Sequence, residues 1–439
     1  METTISSQRV LVGRALALFG ALALAFALLA VPAAAQQGDG DDVTPARVDG
    51  QNRVETAVNI ATLTFDRADV AHLVFGGDYP DALAASYAAG VVDGPILMPA
   101  SRDDVGAITW DALEELGVER VRLVGGEAVL SPAIQEQLDA RGYENRRIAG
   151  TDRYATSAEV AKFYGLGMGD NLGTVDGHRT AVMASGANFP DALAVGPIAA
   201  AAQLPLVLTP PHRADAEVDH ALDLLHIDRI VLVGGTAAVS PAVERHYRDL
   251  GFAVERVAGA HRMGTAALLA DRAVLQFGFS PALVLLARGD DFPDALAASI
   301  HGATAGAPIL LTQSPAVLGQ PTSTWLARSC PDIDVVRALG GDAAIRPATL
   351  RAAVEAARSC RQPVGSSGLA ERQAVGDFTD LVDVHASAHT GFDRIVLEFA
   401  GAEHPAWPVR WTDEPRYQPA DQPAEGSRAM PSRGERERE

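Results

Sequence analysis

Short apolar runs alternate with longer stretches of helical composition along most of this chain. Each run is rich in Val, Leu and Ile and is bounded by turn residues, which is typical of a strand in a parallel sheet that is covered on both faces. The predicted strands are Ala71–Phe75, Pro95–Leu97, Val121–Val124, Thr180–Ala184, Leu204–Thr209, Arg229–Val233, Ala282–Ala287, Pro308–Leu311 and Val335–Leu339. Strands that alternate with helices in this way predict an α/β fold.

The same phrases recur three times in the same order, so the α/β unit is predicted to be triplicated. Each copy opens with Arg-x-x-Gly-x-x-Arg, continues with Pro-Asp-Ala-Leu-Ala and then reaches a Gly-Gly turn. The copies are Arg47–Arg53, Pro80–Ala84 and Gly125-Gly126; Arg147–Arg153, Pro190–Ala194 and Gly234-Gly235; and Arg256–Arg262, Pro293–Ala297 and Gly340-Gly341. Any function has to be compatible with three related modules.

Segments of a different composition flank the three repeats. The expected organisation is a signal peptide at 1–35, a linker at 36–46, repeats at 47–146, 147–255 and 256–361, a linker at 362–370, a β-rich remnant at 371–413 and a disordered tail at 414–439. The compact repeats are of domain size, whereas the tail has too few apolar residues to form a core.

The first 35 residues have the pattern of a secretion signal. Arg9 and Arg14 precede an apolar run from Ala15 to Val31, and Ala33-Ala34-Ala35 supplies a small-residue cleavage site. An uncleaved membrane anchor is the alternative, although the run is short for a membrane span. No second apolar run of spanning length follows. We therefore expect an exported protein that has no transmembrane anchor after cleavage.

The balance of charge restricts the partners. The formal net charge is −20, which argues against nucleic acid and anionic membranes as general partners. Nearly all the cationic residues are arginines, whose planar guanidinium suits carboxylate, phosphate or sugar oxygens.

The chain has two cysteines, Cys330 and Cys360, both in the third repeat. In an oxidising compartment such a pair favours a disulfide. The bridge would contribute about 3–4 kcal/mol in the chain-entropy description. Two free buried thiols are the alternative.

The aspartates of the Pro-Asp-Ala-Leu-Ala phrase allow two hypotheses. Asp81, Asp191 and Asp294 could be catalytic carboxylates, or they could belong to helix starts. The residues three positions earlier are favoured N-caps, proline suits a first turn, and a carboxylate there interacts favourably with the helix dipole. These predicted N-caps are Asp78, Asn188 and Asp291. We favour the helix start, which would still lie at the carboxyl end of a parallel strand, where open α/β sheets bind ligands.

The arginine phrase leaves two hypotheses open. Its arginines either tie neighbouring repeats together through carboxylates and helix C-termini, or form a cationic edge for an anionic or hydroxyl-rich polymer. The Gly-Gly turns are interpreted as tight turns with positive φ. A phosphate loop is disfavoured because the glycines do not run directly into a helix and no P-loop lysine follows.

No sequence pattern for catalysis or metal binding accompanies the repeats. His-Glu-x-x-His and Gly-x-Ser-x-Gly are absent from the sequence, and no Cys–His pair recurs. His212, His220 and His226 share one polar segment, but we do not favour a metal site there. We expect no cofactor, no metal and no enzymatic activity.

Together these phrases resemble the cell wall-binding repeat type 2 family. Its pattern reads R-x-x-G-x-D-R-Y-x-T-A, then F-x-D-A-L, then P-I-L-L-T, then L-V-G-G-x-x-x-V-S. Repeat two matches well through Arg147, Gly150, Thr151–Tyr154 and Thr156. Repeat three departs from it, with His261 where the pattern has Asp and Arg346 where it has Ser. The resemblance extends from about Arg47 to Arg361.

The resemblance implies three tandem Rossmann-like modules with parallel sheets in a pseudo-threefold arrangement. It also implies non-covalent attachment to a secondary cell wall polysaccharide or a peptidoglycan-linked polymer, at the cell wall or cell surface, and binding rather than catalysis. The residues that it associates with the polymer are Arg53, Arg153, Arg262, Ile96, Leu97, Leu206, Val207, Ile309 and Leu310.

A second, weaker resemblance covers Val382–Gly401, which looks like the start of an AMIN-like domain. The remainder of that domain is not recognisable before the charged tail. A remnant of two or three strands would have unpaired edges and little core, so we expect partial order there.

Three functions are therefore compared. The favoured one is an exported protein that binds a wall polymer, in which arginine clusters or a bridging divalent cation would overcome the repulsion between two polyanions. The others are a wall hydrolase that uses the strand-end aspartates, and an envelope adaptor that recruits a partner through its C-terminus. The sequence leaves the oligomeric state open.

Overall fold

The computed structural model describes residues 43–78, 80–167, 172–187, 190–291, 293–360, 381–389 and 392–399. It contains two compact units, one up to Pro363 and one from Val364 onward. The predicted signal peptide, the linker at 362–370, the tail and the predicted N-cap Asn188 lie outside the described residues. The three repeats form the first unit.

The elements of repeat one follow the predicted alternation of strands and helices. In chain order they are β1 (Thr44–Val48), α1 (Arg53–Thr64), β2 (Val70–Val74), α2 (Pro80–Val92), β3 (Ile96–Leu97), α3 (Ala107–Glu115), β4 (Arg120–Val124), α4 (Pro132–Ala140) and β5 (Glu144–Ile148). Sheet one has the strand order β3-β2-β4-β5 and is parallel throughout. All five residues of β2 are buried, as expected for a strand that is covered on both faces.

Repeat two has the same order of elements with one interruption. Its elements are α5 (Arg153–Gly167), β6 (Thr174–Val175), β7 (His178–Ser185), α6 (Pro190–Leu193), α7 (Gly196–Ala201), β8 (Leu206–Thr209), α8 (Ala216–Leu224), β9 (Arg229–Val233), α9 (Pro241–Asp249) and β10 (Ala253–Val257). Strands β8, β7, β9 and β10 form parallel sheet two, and β6 adds an antiparallel pair with β7. The helix after β7 is split into α6 and α7 because Pro197 has no N–H to continue the hydrogen-bond ladder.

Repeat three completes the ring. Its elements are α10 (Arg262–Phe277), β11 (Leu283–Arg288), α11 (Pro293–Ala305), β12 (Ile309–Thr312), α12 (Gln320–Arg328), a 3-10 turn (Cys330–Asp332), β13 (Val335–Leu339) and α13 (Pro347–Ala357). Sheet three has the parallel order β12-β11-β13-β1. A disulfide joins Cys330 to Cys360, whose Cα atoms are 5.9 Å apart, and so attaches the end of this repeat to the 3-10 turn.

One parallel strand of each sheet is absent from the sequence prediction, as is the short antiparallel strand β6. The three parallel strands are β1, β5 and β10, each of which lies at a sheet edge and ends in a buried aliphatic residue after exposed or half-buried ones. A search for apolar runs misses such half-exposed edge strands. The expected linker at 36–46 is wrong at its end, because Thr44–Ala46 is part of β1. The expected repeat boundaries at 146/147 and 255/256 fall inside β5 and β10.

The edge strands β1, β5 and β10 also show how the repeats are connected. Strand β5 pairs with β4 in sheet one and then leads into α5, the first helix of repeat two. Strand β10 leads from sheet two into repeat three in the same way. Strand β1 is the first element of repeat one in sequence but pairs with β13 of repeat three, so that Val48 lies opposite Leu339. The amino-terminal strand therefore closes the ring.

The helix that follows the first buried strand of each repeat lies at the centre of the molecule. Helices α2, α7 and α11 contact one another pairwise around a pseudo-threefold axis. Leu83, Leu193 and Leu296, each 1% exposed, belong to one core that is shared by all three repeats. A side chain on Gly90 would overlap the backbone of Ala200, so the helices approach closely only because small residues line their contact.

The second unit is described by its backbone alone. It contains a two-stranded antiparallel hairpin, β14 (Leu381–His389) and β15 (Phe392–Phe399), within the segment that resembles an AMIN-like domain.

Candidate functional site

The first arginine of each phrase contacts the Gly-Gly turn of the sheet that the phrase is leaving. Arg147 Nη1 donates to the Gly125 carbonyl at 2.9 Å, and Arg256 Nη1 donates to the Gly234 carbonyl at 2.7 Å. Arg47 makes the same bond to the carbonyl of Gly340, in sheet three. These side chains are largely buried and stabilise the junctions between repeats.

The second arginine of each phrase contacts the next sheet. Arg53, Arg153 and Arg262 begin α1, α5 and α10, and each donates to the carbonyl of the glycine that follows the first buried strand of its own repeat. These glycines are Gly76, Gly186 and Gly289. The phrase therefore spans two sheets, which supports the hypothesis that the arginines tie repeats together. The Arg153 side chain is still 37% exposed and can also meet a ligand.

The apolar residues that the family resemblance associates with the polymer lie in the core. Ile96, Leu97, Leu206, Val207, Ile309 and Leu310 are each at most 1% exposed. Their side chains hold β3, β8 and β12 in the sheets and present no surface to a polymer. Their assignment to polymer contact is therefore corrected to a structural one.

The aspartates of the Pro-Asp-Ala-Leu-Ala phrase lie over the Gly-Gly turns. A Cβ on Gly125 would come within 2.6 Å of Asp81 Oδ2, and one on Gly234 within 2.9 Å of Asp191 Oδ2. Asp294 stands over Gly340 in the same way. The three glycines have positive φ, at 128°, 108° and 85°. Each glycine therefore leaves room for a carboxylate as well as allowing the turn.

The predicted N-caps need a correction of one position. Helix α2 begins at Pro80 and α11 begins at Pro293. Asp78 and Asp291 are therefore one residue upstream of the N-cap position, while Asp81 and Asp294 lie in the first helical turn, as expected.

A polar cleft of about 170 Å³ opens between repeats one and two at the carboxyl ends of the strands. We call it the inter-repeat cleft. Asp78 and Asp81 line one side, and the start of α5 lines the other, from Gly150 to Arg153 with Thr156. Arg153 Nη2 lies 3.4 Å from Asp78 Oδ2, and both side chains are partly exposed, at 37% and 43%. The cleft thus presents a guanidinium and a carboxylate side by side.

Burial and neighbouring charges shift the pKa of two aspartates, Asp81 in this cleft and Asp294 in repeat three. Burial, followed by repulsion from Asp78, raises the pKa of Asp81 to about 7, although Arg153 opposes the rise. Burial and Asp291 likewise raise the pKa of Asp294. The Thr56 hydroxyl and Arg53, both from repeat one, favour the charged form of Asp294. Asp294 of repeat three therefore meets the start of α1 in repeat one, as Asp81 of repeat one meets the start of α5 in repeat two.

A second cleft lies wholly in repeat one, at the carboxyl ends of β2 and β3. We call it the strand-end cleft. Its volume is about 550 Å³, and its lining includes Phe75, Pro99, Ile108 and Val54, with Arg53 at the rim. The Ile108 side chain is 40% exposed. The sequence analysis did not identify this cleft. The signal in the sequence is the residue at the carboxyl end of the first buried strand, which is apolar in repeat one (Phe75) and polar in the other two (Ser185 and Arg288).

Two buried histidines connect repeats without taking part in either cleft. His72 Nε2 lies 2.7 Å from the hydroxyl of Tyr164 in repeat two, and His301 Nδ1 lies 3.0 Å from the hydroxyl of Thr64 in repeat one. Burial lowers the pKa of His72 to about 3, with Arg122 adding to the effect, and burial together with Arg337 lowers the pKa of His301 to about 4. Both rings are therefore neutral near pH 7.

The part of the chain that the structure describes offers neither a metal-binding group nor a membrane-spanning helix. No group of three or more His, Cys, Asp or Glu side chains there could hold a metal ion. No helix among the described residues is long and apolar enough to cross a membrane.

Comparison with protein families identifies two regions. A model of the family "Cell wall binding domain 2 (CWB2)" matches residues 47–135, 147–244 and 256–350. A model of the AMIN-like domain matches residues 379–430, which extends beyond the expected end of that segment at 413.

Two proteins of Bacillus subtilis are similar in sequence. The N-acetylmuramoyl-L-alanine amidase LytC is 30% identical over 271 residues, which are 62% of this chain and 51% of that protein. The amidase enhancer is 27% identical over 256 residues, 57% of this chain and 33% of that protein. The chain thus spans about half or less of the length of these relatives, and the match to the amidase is to the repeat region only.

Two solved structures share the fold. Cwp8 from Clostridium difficile aligns with a TM-score of 0.61 at 24% identity, covering 73% of this chain and 52% of that one. Cwp6 from the same organism aligns with a TM-score of 0.59 at 22% identity, covering 71% and 48%. These two structures therefore share the fold of this chain over about seven tenths of its length.

Proposed function

This chain belongs to the cell wall binding domain 2 family, and on that premise we propose that it is an exported protein that attaches non-covalently to a secondary polymer of the cell wall. The observation that carries the proposal is the inter-repeat cleft. There a partly exposed arginine and carboxylate from two repeats face each other at the carboxyl ends of parallel strands, the edge at which open α/β sheets bind ligands.

The chemistry of the inter-repeat cleft fits a sugar polymer. Arg153 supplies several N–H donors in a fixed plane, and Asp78 supplies acceptors for hydroxyl groups. Part of the guanidinium is already held by the Gly186 carbonyl. Arg153 is therefore preorganised, and less side-chain entropy is lost when a ligand binds.

The overall charge of the chain constrains this function. A protein with a formal net charge of −20 is repelled by a polyanion at low salt. A neutral, hydroxyl-rich polymer avoids this repulsion, and an anionic polymer would need a bridging divalent cation. The dependence of binding on salt and on chelator therefore distinguishes the two polymers.

The proposal is tested by sedimentation of the full chain with purified Gram-positive cell walls and with fractionated wall polymers. We expect the wild type to pellet and Arg153→Ala to bind about tenfold or more weakly, because a hydrogen bond to a charged group is lost. The assay is run at graded salt, with and without EDTA. Thermal melts establish that each variant is folded.

Arg141→Ala is the matched control. Arg141 is 48% exposed and lies just before the amino-terminal end of β5, whereas the cleft lies at the carboxyl ends of the strands. We expect this variant to pellet like the wild type. If the wild type fails to pellet under every condition, the proposal is wrong. If the two variants lose binding equally, the inter-repeat cleft is not the site.

A wall hydrolase is the second candidate, because a carboxyl group with its pKa raised to about 7 lies beside another carboxyl group in a cleft. The position of Asp81 over Gly125 accounts for the same burial structurally. Release of new reducing ends or amino groups from the walls in the sedimentation assay, abolished by Asp81→Asn, would favour the hydrolase. The adaptor hypothesis concerns the C-terminal segment and predicts that removal of residues 371–439 changes localisation.

A further inference from the structure

The three repeats differ in the residues that follow their first two buried strands. Phe75, Ser185 and Arg288 occupy one equivalent position, since each directly precedes the glycine that accepts a bond from the second arginine. In the paired strands, the register places Ser185 opposite Thr209 and Arg288 opposite Thr312. Continued by two residues beyond β2 and β3, the register of repeat one places Phe75 opposite Pro99. Repeat one is thus apolar where the other two are polar.

The residue two positions further on differs in a matching way. In repeat one it is Gly77, and a Cβ there would overlap the ring of Phe75, so the ring lies against the glycine. In repeat three it is Asp290, whose carboxylate accepts a hydrogen bond from Arg288 Nε at 2.8 Å. Repeat one therefore keeps a ring folded over a glycine, whereas repeat three places an ion pair at the equivalent position.

The apolar character of the strand-end cleft extends to the helix on its other side. Ile108 lies at the second position of α3, where α8 of repeat two has Glu217. Ile108 is one of the exposed large apolar residues in the described part of the chain, with 40% of its surface in contact with solvent. Exposed apolar area costs free energy, and a ligand that covers it would recover that cost.

Polar groups at the rim already form hydrogen bonds within the protein, although the exposed Arg53 has further N–H groups that a ligand can meet. Arg53 donates to the Gly76 carbonyl. Asn52 Oδ1 accepts bonds from the backbone N–H groups of Val54 and Glu55, at 2.9 and 3.1 Å. The start of α1 is therefore capped by its own side chain and does not form an anion site. Recognition in this cleft depends mainly on apolar contact, with Arg53 available for an oxygen at the edge.

We propose that the strand-end cleft of repeat one is a separate subsite for an acylated pyranose, such as an N-acetylated amino sugar of the wall polymer. The apolar face of the sugar ring and the acyl methyl group lie against Phe75, Pro99 and Ile108, while hydroxyl oxygens face Arg53 and solvent. A cleft of about 550 Å³ has room for one or two sugar rings. The subsite rests on the proposed function, and it makes repeat one chemically distinct from the other two.

The test is saturation-transfer difference NMR of the full chain with N-acetylglucosamine as the probe and glucosamine and glucose as comparators. We expect saturation of the acetyl methyl protons of N-acetylglucosamine and weak transfer to the other two sugars. Phe75→Ser, which installs the residue of repeat two, should reduce the methyl signal about tenfold. Ile108→Glu provides a second variant if Phe75→Ser does not fold.

Leu63→Ser is the matched control, since Leu63 is 50% exposed near the end of α1, away from the cleft. It should leave the methyl signal unchanged. The subsite would be overturned if the three sugars received equal saturation transfer. It would also be overturned if neither cleft variant reduced the acetyl methyl signal of N-acetylglucosamine. Wall sedimentation separates the two proposals. Pelleting without a Phe75-dependent signal refutes only the subsite, and the signal without pelleting refutes only wall attachment.

Discussion

At the residue scale, one contact explains two of the recurring phrases. Asp81 lies in the first turn of α2 and its carboxylate stands over Gly125, which has a φ of 128°. A glycine at that position therefore serves two purposes, since it allows the left-handed backbone and leaves room for the carboxylate. The tight turn with positive φ was predicted from the sequence. Its partner was not, because the aspartate and the glycine are far apart in the chain.

Neighbouring glycines of this turn allow a sharp comparison. We expect Gly125→Ala to lower the free energy of unfolding by about 1–3 kcal/mol, because alanine is strained at positive φ and its Cβ would meet Asp81. Gly126→Ala should change stability by less than about 0.5 kcal/mol, since among the described residues no atom beyond its chain neighbours lies within 4 Å of the added Cβ. Urea denaturation of both variants measures the difference. Equal effects would refute the account.

At the element scale, the edge strands β1, β5 and β10 decide how the repeats are connected. Each belongs to one sheet but leads directly into a helix of the next, and the arginine phrase spans the junction. The buried strands are visible in the sequence because their residues are uniformly apolar. The edge strands are five residues long and are exposed or half-buried except at their last residue, so their assignment depends on pairing.

Strand β1, which pairs with β13, gives a prediction about a repeat that is distant in the sequence. Arg47 belongs to the first phrase, yet its guanidinium donates to the carbonyls of Gly340 and Ile345 in repeat three. We expect Arg47→Ala to lower the free energy of unfolding by about 1–3 kcal/mol, because two buried carbonyl acceptors lose a charged donor. Hydrogen exchange should accelerate first in β13.

The control for this variant is Arg102→Ala, an arginine of repeat one that is 51% exposed and forms a surface ion pair with Asp103. It should cost less than about 1 kcal/mol. If Arg47→Ala instead exposes β2 and β4 while β13 stays protected, strand β1 does not close the ring as described.

At the scale of the whole molecule, three central helices make the repeats one folding unit. The shared core includes side chains from α2, α7 and α11, and the contact between α2 and α7 depends on Gly90. Repeats that share a core in this way differ from a linear solenoid, in which each repeat contacts only its neighbours. We therefore expect the three repeats to unfold together.

Gly90→Ala tests this cooperativity. The added Cβ overlaps the backbone of Ala200, so we expect a loss of about 1–3 kcal/mol, seen in calorimetry as a single transition of residues 43–360 at lower temperature. Gly167→Ala is the control, because among the described residues no atom outside its own helix and chain neighbours lies within 4 Å of the added Cβ. Two separated transitions in Gly90→Ala, one of them unchanged from the wild type, would contradict the shared core.

The sequence by itself determined the triplication, the parallel α/β class, the buried strands and the family, because each depends on local patterns that repeat in register. It associated Ile96 and its equivalents with a polymer, and only the tertiary structure showed that they are buried. It left the role of the arginines open, since their acceptors are backbone carbonyls far away in the chain, which lie in another repeat for the first arginine of each phrase. The inter-repeat cleft and the strand-end cleft were likewise decided by tertiary structure, because their residues are separated in the chain and meet only when the sheets are assembled.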